Sequence, residues 1–245
     1  MSARSQPPPT QVHSWAGEGP DDDWYLAQMS RRTQPLSRDD FVAAAIRFVD
    51  EHGLAALTLR SLGTTLGIGH TAIYRHFRDK EALLVAMKDA IVTEVAERAG
   101  SYSAAPRDRL IERLSVLWEA LLRHPHVVSA MISLTAPAPH AHDLAWLIIA
   151  DLEELGLRDD DLVRCFQMLE SYVVGTQAFD LGGAPHHLEV RRQRHRSLGH
   201  AAFEPFTRSC AGVEANNHAA FRLGLELLID GCATLGERNS AAASR

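Results

Sequence analysis

The sequence is poor in cysteine and in lysine, and it contains no long apolar run. Three cysteines occur among 245 residues, none of them spaced as Cys-x-x-Cys, which argues against both a disulfide framework and a zinc site. No stretch approaches the roughly 18 uninterrupted apolar residues of a membrane-spanning helix, and the first 20 residues lack a secretory-signal pattern. Strand-like alternation of useful length is absent as well. We therefore expect an all-α protein of the cytoplasm with no metal and no cofactor.

Charge is unevenly distributed along the chain, whose net charge is −6. Residues 31–80 carry eight basic and five acidic side chains, a net charge of +3, whereas residues 1–30 have a net charge of −3. A positive segment on an otherwise acidic chain is consistent with nucleic-acid binding through the first third. Lys80 lies in that segment and is one of two lysines that accompany 23 arginines.

Glycine and proline divide the chain into three predicted regions. Residues 1–36 contain Pro7-Pro8-Pro9 and no sustained apolar period, so they are predicted to form a flexible arm, although their aromatic residues could dock on a body or a partner. Residues 37–98 are predicted to form four helices, and residues 101–245 a larger helical body. Within that body, residues 182–212 are rich in arginine and histidine and are predicted to be partly helical and partly mobile.

Two short helices joined by a glycine turn form the most informative motif. Thr58 can cap a helix that continues to Leu66, and Gly67-Ile68-Gly69 then turns the chain into a helix from His70 to Phe77. This is the length and punctuation of a helix-turn-helix, in which the second helix reads the major groove of DNA. The predicted packing residues are Leu59, Leu62, Leu66, Ile68, Ile73 and Phe77.

The remaining positions of the motif suit contact with DNA. Arginine can bind guanine bidentately, hydroxyl groups and imidazoles can donate to phosphates, and an alanine methyl can contact thymine. The residues left free to face DNA are His70, Thr71, Ala72, Tyr74, Arg75 and His76. The alternative is that the aromatic residues belong to the core, that the arginines are only solvated charges and that the helix pair is structural.

The spaced residues of this region resemble the DNA-binding region of the tetracycline-repressor (TetR) family. The matching residues are Gly53-Leu54, Thr58, Leu62, Leu66-Gly67-Ile68, Ile73-Tyr74-Arg75-His76-Phe77, Lys80 and Leu83-Leu84. The resemblance extends from Ser37 to about Arg98, and it implies a three-helix DNA-binding head, a fourth linking helix, a larger ligand-binding body and a dimer formed by the last long helices. Gly63 departs from the resemblance, because family members usually have alanine there, and glycine costs roughly 1 kcal/mol in helix propensity.

The resemblance also implies roles for single residues. Thr58 and Arg60 would lie at the start of the positioning helix, with Arg60 able to reach a base or a phosphate. The base-reading positions would be His70, Thr71, Ala72 and Arg75. The residues in contact with the DNA backbone would be Tyr74, His76 and Lys80. The predicted function is that of a transcriptional regulator, a repressor, that binds a pseudo-palindromic operator as a dimer and is released by a small-molecule effector.

The body is predicted to hold both the effector and the dimer interface. Apolar side chains of its helices would line a pocket if those helices surround one, and they could equally be ordinary core. The candidates for the effector pocket are Trp118, Leu121, Met131, Trp146, Phe166 and Met168. Two late helices, predicted at 160–181 and 214–235, are apolar around more than one side, which indicates burial on several faces. The candidates for the dimer interface are Leu169, Tyr172, Val173, Phe221, Leu225 and Leu228. The later of the two helices also presents Leu223 and Leu227 on a second face.

Other functions have weaker support in the sequence. Eight histidines occur from His124 to His200, but no cysteine joins them at the spacing of metal ligands. Cys165 and Cys232 lie on apolar helix faces, where thiols are usually inert, which disfavours oxidation sensing. An all-helical enzyme or small-molecule carrier is the alternative from another class, yet Gly-x-Ser-x-Gly, His-Glu-x-x-His and a phosphate-binding glycine loop are all missing. We therefore expect a regulator and not an enzyme.

Overall fold

The computed structural model describes residues 36–98, 103–131, 134, 138–177 and 186–243. Apart from Leu36, the predicted N-terminal arm lies outside the described residues. Within these ranges the chain forms ten α-helices and two short 3-10 helices and no strand, so the predicted all-α fold is confirmed. Residues from Arg38 onward form one compact unit.

The helices fall into two groups that a long helix connects. The first four are α1 (Arg38–His52), α2 (Leu59–Thr65), α3 (His70–Tyr74) and α4 (Lys80–Arg98), with a 3-10 turn at Leu54–Ala56 between α1 and α2. The others are α5 (Pro106–Arg123), α6 (Pro125–Met131), α7 (Pro139–Glu154), α8 (Asp159–Gln177), α9 (His186–Ser197) and α10 (Cys210–Ala243), with a second 3-10 turn at Ala201–Phe203 before α10. We call α1 to α3 the head and α5 to α10 the body, and α4 joins them.

The head is closely packed around apolar side chains. Leu62 and Ile73 have no exposed surface, and Phe41 and Phe77 are 1% exposed. α1 contacts α2 and α4, α2 contacts α3, and the Arg38 guanidinium lies 4.9 Å from the centre of the Phe77 ring. Because side chains from every helix meet in one core, the orientation of α3 is fixed by packing.

The body is a layered helical bundle with a buried charge network. α5 contacts α4, α7, α8 and α10, and α8 also contacts α7 and α10. Asp151 of α7 is 3% exposed and accepts from Nε of Arg109 at 2.6 Å and from Nε of Arg113 at 3.3 Å. Paired arginines offset the cost of burying this carboxylate, so the network fixes α5 against α7.

Several helix ends differ from the prediction. Pro106, Pro125 and Pro139 each occupy the first position of a helix, because the first turn needs no donor from the N–H that proline lacks. The recognition helix ends at Tyr74 and not at Phe77, whose N–H donates to the Ile73 carbonyl at 3.0 Å in the following turn. The last helix runs over 210–243, longer than the predicted 214–235. The predicted helical part of 182–212 corresponds to α9 and the second 3-10 turn.

A close backbone approach explains why a glycine stands inside the last helix at position 236. A Cβ at this position would collide with the carbonyl group of Leu155, and Gly156, whose φ is +90°, lies against the same turn of α10. Glycine here permits α10 to contact the turn between α7 and α8. Gly236 is therefore a packing residue inside the helix.

Candidate nucleic-acid interface and internal cavity

The turn between α2 and α3 is held by two backbone hydrogen bonds. The Gly67 N–H donates to the Thr64 carbonyl at 3.1 Å, and the Ile68 N–H donates to the Gly63 carbonyl at 3.0 Å. Gly67 has a φ of +64°, which side chains with a Cβ adopt only at a cost. This is a Schellman end for α2, and it sets the angle at which α3 leaves.

The beginning of α2 is held by reciprocal side-chain hydrogen bonds. Oγ1 of Thr58 accepts from the Ser61 N–H at 2.9 Å, and Oγ of Ser61 accepts from the Thr58 N–H at 2.9 Å. The predicted cap at Thr58 is thus confirmed, and its hydroxyl oxygen is used within the protein. Arg60 on the same turn is exposed, and its guanidinium forms no ion pair within the described residues. It is therefore available to an anionic partner.

The exposed side of α3 carries most of the predicted reading set. The exposed residues are Thr71, Tyr74, Arg75 and His76, and Ala72 is half-buried. His70 is the first residue of the helix. In the part of the chain that the structure describes, the Arg75 guanidinium has no hydrogen bond and no ion pair. The buried Ile73 anchors the opposite side, so the helix presents polar groups outward on an apolar base.

Two predicted phosphate contacts also touch the protein itself. The His76 ring lies 5.0 Å from the ring of Phe41, measured between centroids. Nζ of Lys80 donates to the Leu54 carbonyl at 3.1 Å and so ties the start of α4 to the link between α1 and α2. An ammonium has three N–H donors, so Lys80 can still reach a phosphate. The contacts of both residues with DNA stay predictions.

Two histidine–aspartate pairs connect the head and α4 to the body. Nδ1 of His124 lies 2.8 Å from Oδ2 of Asp50 in α1. His140, in α7, donates its backbone N–H to Oδ1 of Asp89 at 2.7 Å, and its Nδ1 lies 2.7 Å from Oδ2 of the same carboxylate. An ionised carboxylate only accepts, so Nδ1 is the donor in both pairs. A movement of α4 relative to α7 would strain the Asp89 pair.

A partly open cavity of about 510 Å³ lies among helices α4 to α8. α5 contributes Leu114, Leu117 and Leu121 to its wall, and α7 contributes Leu144, Ala145 and Ile148. The polar residues of the lining are Lys88, Glu170 and Ser171. An apolar chamber of this volume with a few polar groups is typical of sites for drug-sized molecules.

The predicted pocket residues divide between this cavity and other places. Leu121 and Phe166 line the cavity, whereas Met168 lines a smaller groove between α8 and α10. Trp146 is 59% exposed, and its Nε1 donates to Nε2 of His142 at 2.9 Å. The side chain of Met131 lies outside the described residues.

Trp118 is the clearest correction to the predicted pocket. Its ring stacks on Phe221 at 4.1 Å, and its Nε1 donates to Oγ1 of Thr176 at 3.0 Å, so it joins α5 to α8 and α10. Periodicity identifies an apolar face, but it does not tell which neighbour covers that face. Lys88 and Val92 of α4 were missed for the same reason, and the rarity of lysine was the one available signal for Lys88.

The predicted dimer-interface residues lie largely inside the protomer. Leu169 and Val173 are 1% exposed and line the cavity, and Leu225 has no exposed surface. Phe221 is buried between Trp118 and the ring of Tyr172, which donates its hydroxyl to the Phe221 carbonyl at 3.1 Å. We therefore correct the placement of Leu169, Val173, Phe221 and Leu225, because these side chains of α8 and α10 are buried within their own chain.

The second face of α10 remains uncovered within the protomer. Leu223 and Leu227, one helical turn apart, are 59% and 64% exposed, while Leu228 is half-buried beside Met168. Val163 of α8 is also exposed, at 54%. Large apolar side chains exposed on the same helix face mark a candidate surface for a partner.

The thiols and histidines give no second chemical site in the described part of the chain. Burial raises the pKa of the Cys232 thiol to about 12, which disfavours the reactive thiolate, and Cys165 is also buried. No group of three or more histidine, cysteine, aspartate or glutamate side chains within the described ranges could hold a metal ion. None of the described helices is both long enough and apolar enough to span a bilayer.

Two family models match the chain on either side of the α4–α5 connection. The model of bacterial regulatory proteins of the tetR family matches residues 41–87, and that of the tetracyclin repressor-like C-terminal domain matches residues 104–235. The chain belongs to the TetR family. The helix-turn-helix lies inside the first matched range, and most of the body lies inside the second.

Individual relatives agree with this assignment. A class A tetracycline repressor of Escherichia coli is 28% identical over 81% of this chain and 91% of its own length. A TetR regulator from Streptomyces coelicolor has 28% identity, a TM-score of 0.64, and coverage of 82% and 99% of the two chains. A TetR variant from Acinetobacter baumannii in complex with minocycline has 26% identity, a TM-score of 0.59, and coverage of 82% and 98%. The matches to two other curated regulators span 65% and 54% of those proteins.

Proposed function

We propose that this TetR-family protein is a ligand-responsive transcriptional repressor that binds a pseudo-palindromic operator as a homodimer and is released by a small-molecule effector. The observation that carries the proposal is the helix-turn-helix, in which exposed Thr71 and Arg75 flank the buried Ile73 on a helix held by the Gly67 turn. Reading the major groove requires a short helix at a fixed angle with polar side chains outward. A protein that binds an operator acts in the compartment that contains the DNA, which for this chain we propose to be the cytoplasm.

Six residues of the head and of the start of α4 have a proposed role. Arg60, Thr71 and Arg75 contact base edges, since their side chains are exposed and neither guanidinium forms an ion pair within the described residues. Tyr74, His76 and Lys80 contact phosphates and thereby set the register of α3 on the duplex. The proposal includes no catalytic step, no metal and no cofactor.

Relatives support repression and release by an effector. The Escherichia coli relative is named a tetracycline repressor, and the relative from Acinetobacter baumannii was solved in complex with minocycline. In this chain the cavity of about 510 Å³ is the proposed binding site for an effector. α4 supplies Lys88 and Val92 to that site and leads directly to the head.

Release requires a link between the cavity and α3. Asp89 follows Lys88 and holds His140 of α7, which is the helix that contributes much of the cavity wall. At its other end α4 is tied to the head through Lys80 and the Leu54 carbonyl. We propose that filling the cavity displaces α4 relative to α7 and so changes the spacing of the two heads of the dimer.

The homodimer forms through the uncovered face of α10. Leu223 and Leu227, together with Val163 of α8, supply the apolar centre of a two-fold interface in which each copy presents the same surface. Leu227→Asp is expected to yield monomers in light scattering. Leu198→Asp is the matched control, because Leu198 is equally exposed outside this face and its variant should remain dimeric.

A gel-shift titration with the DNA directly upstream of the gene tests the proposed function. The protein is expected to retard this fragment with nanomolar affinity and to prefer it to a scrambled fragment by at least a thousandfold or so. The Arg75→Ala variant should lose much of that preference while it keeps the same helical content by circular dichroism. Retardation of both fragments with equal affinity by the wild type would contradict operator recognition.

A further inference from the structure

Lys88 places a positive charge in the wall of a cavity that is lined mainly by apolar side chains. The side chain is half-buried on α4 and borders the chamber opposite α7 and α8. Within the described part of the chain, its ammonium forms neither an ion pair nor a hydrogen bond. An ammonium without a partner among the described residues is available to pair with an anion in the cavity.

The other charged groups near the cavity do not neutralise this ammonium. Glu170 also borders the cavity but is exposed, so water screens its carboxylate, and it lies beyond ion-pairing distance of Lys88. Asp89, the next residue in the sequence, is engaged by both the backbone and the ring of His140. Of these three charged groups, the ammonium of Lys88 is therefore the one most available to a ligand in the cavity.

We propose that the effector is an apolar organic anion whose acidic group pairs with Lys88. This rests on the proposed function only in that the cavity is the effector site. The surrounding leucines supply affinity through burial of the apolar part, and the ammonium selects the anion by a charge-assisted hydrogen bond. Lys88 directly precedes Asp89, which is hydrogen-bonded to His140 of α7. An anion bound to Lys88 therefore contacts the turn of α4 that is attached to α7.

Two fluorescent probes that share one ring system test the charge. The first is 8-anilinonaphthalene-1-sulfonate, an apolar anion, and the second is N-phenyl-1-naphthylamine, which lacks the sulfonate. We expect the sulfonate to bind the wild-type protein more tightly than the neutral amine. In Lys88→Met, which keeps the length of the side chain, the Kd of the sulfonate should rise about tenfold, while that of the amine should change less than about twofold.

Three further variants show where and why the probes bind. Lys88→Arg keeps the charge and should retain sulfonate binding within about threefold. Glu170→Gln removes the exposed carboxylate and should leave sulfonate binding unchanged or tighter. Ala145→Trp places a bulky ring inside the cavity and should weaken the binding of both probes, which distinguishes the cavity from the uncovered face of α10.

Three results would overturn the proposal: sulfonate binding that Lys88→Met leaves unchanged, an equal loss of both probes in that variant, or full binding to Ala145→Trp. The titrations contain no DNA, so their failure is distinct from a failure of operator binding, which the gel shift reports separately. Thermal unfolding of each variant confirms that the compared proteins are folded.

Discussion

The head and the body differ in one feature of their packing. Leu62 and Ile73 have no exposed surface in the core of the head, whereas helices α4 to α8 of the sensing part surround a partly open cavity of about 510 Å³. A close-packed unit has one arrangement and can hold a reading helix at a fixed angle. A hollow unit can adjust when a ligand fills it. The comparison indicates that the DNA-binding head and the effector-binding body differ in packing as well as in the chemistry of their surfaces.

Truncation of a leucine should separate the two regions most clearly. Leu62→Ala leaves a new void in the head and is expected to cost about 3–4 kcal/mol of unfolding free energy. Leu121→Ala enlarges a cavity that already deprives Leu121 of contacts on one side, so its cost should be closer to about 2 kcal/mol. Urea unfolding measures both, and equal costs would remove the proposed difference in packing.

Addition of a methyl group probes the part of the body that is closely packed. Gly236→Ala drives a Cβ into the Leu155 carbonyl and should destabilise by about 1–3 kcal/mol. Gly231→Ala in the same helix is the matched control, because nothing lies within 4 Å of a Cβ there, and it should be neutral or stabilise by up to about 1 kcal/mol. Equal thermal stability of the two variants would contradict the close approach of α10 to the α7–α8 turn.

Loss of basic residues should affect DNA binding without affecting the body. Arg75→Ala is expected to cost about 1–3 kcal/mol at the cognate operator and to relax preference at one base pair of each half-site. Lys80→Ala should weaken all DNA sequences together and lower the slope of log K against log salt by about one per head.

The control for both substitutions is Arg78→Ala, whose guanidinium is exposed beside Asp79 at 2.9 Å and has no proposed contact with a base. Because Lys80 also bonds the Leu54 carbonyl, melting curves must accompany its titration. Base preference that survives Arg75→Ala would remove this residue from the reading set.

The smallest expected effect is a loss of stability of α9 at acidic pH. Hydrogen bonds from Arg192, and then from Gln193, lower the pKa of Glu189 from its ordinary value of 4.5 to about 2. A lowered pKa in the folded state contributes stability above pH 4.5 that is lost as the pH falls toward 2. Hydrogen exchange of α9, corrected for intrinsic rates, should therefore quicken over that range in the wild type. It should show no such pH dependence in Glu189→Gln.

The head was predictable because its signals are local. The cap at Thr58, the turn at Gly67 and the apolar period of α2 and α3 lie within about twenty residues, and the structure places each as the pattern indicated. The end of α3 was less predictable, since a turn that continues through Phe77 keeps the same apolar period.

The arrangement of the body could not be predicted from the same patterns. Trp118 faces Phe221, and Leu155 faces Gly236, so the outcome depends on residues far apart in sequence. A helix with two apolar faces does not reveal which face meets its own chain, and for α10 the face of Phe221 is internal while that of Leu227 is exposed. The cavity, and the position of Lys88 in its wall, likewise depend on contacts between residues far apart in sequence.

Selection of bound DNA from a random pool tests the central claim most directly, because it assumes no operator. The account predicts enrichment of an inverted repeat whose half-sites are separated by about one helical turn or a multiple of it. It also predicts that the Arg75→Ala protein enriches the same repeat with one base pair of each half-site left unspecified. Recovery of unrelated sequences without symmetry would contradict operator reading by a dimer.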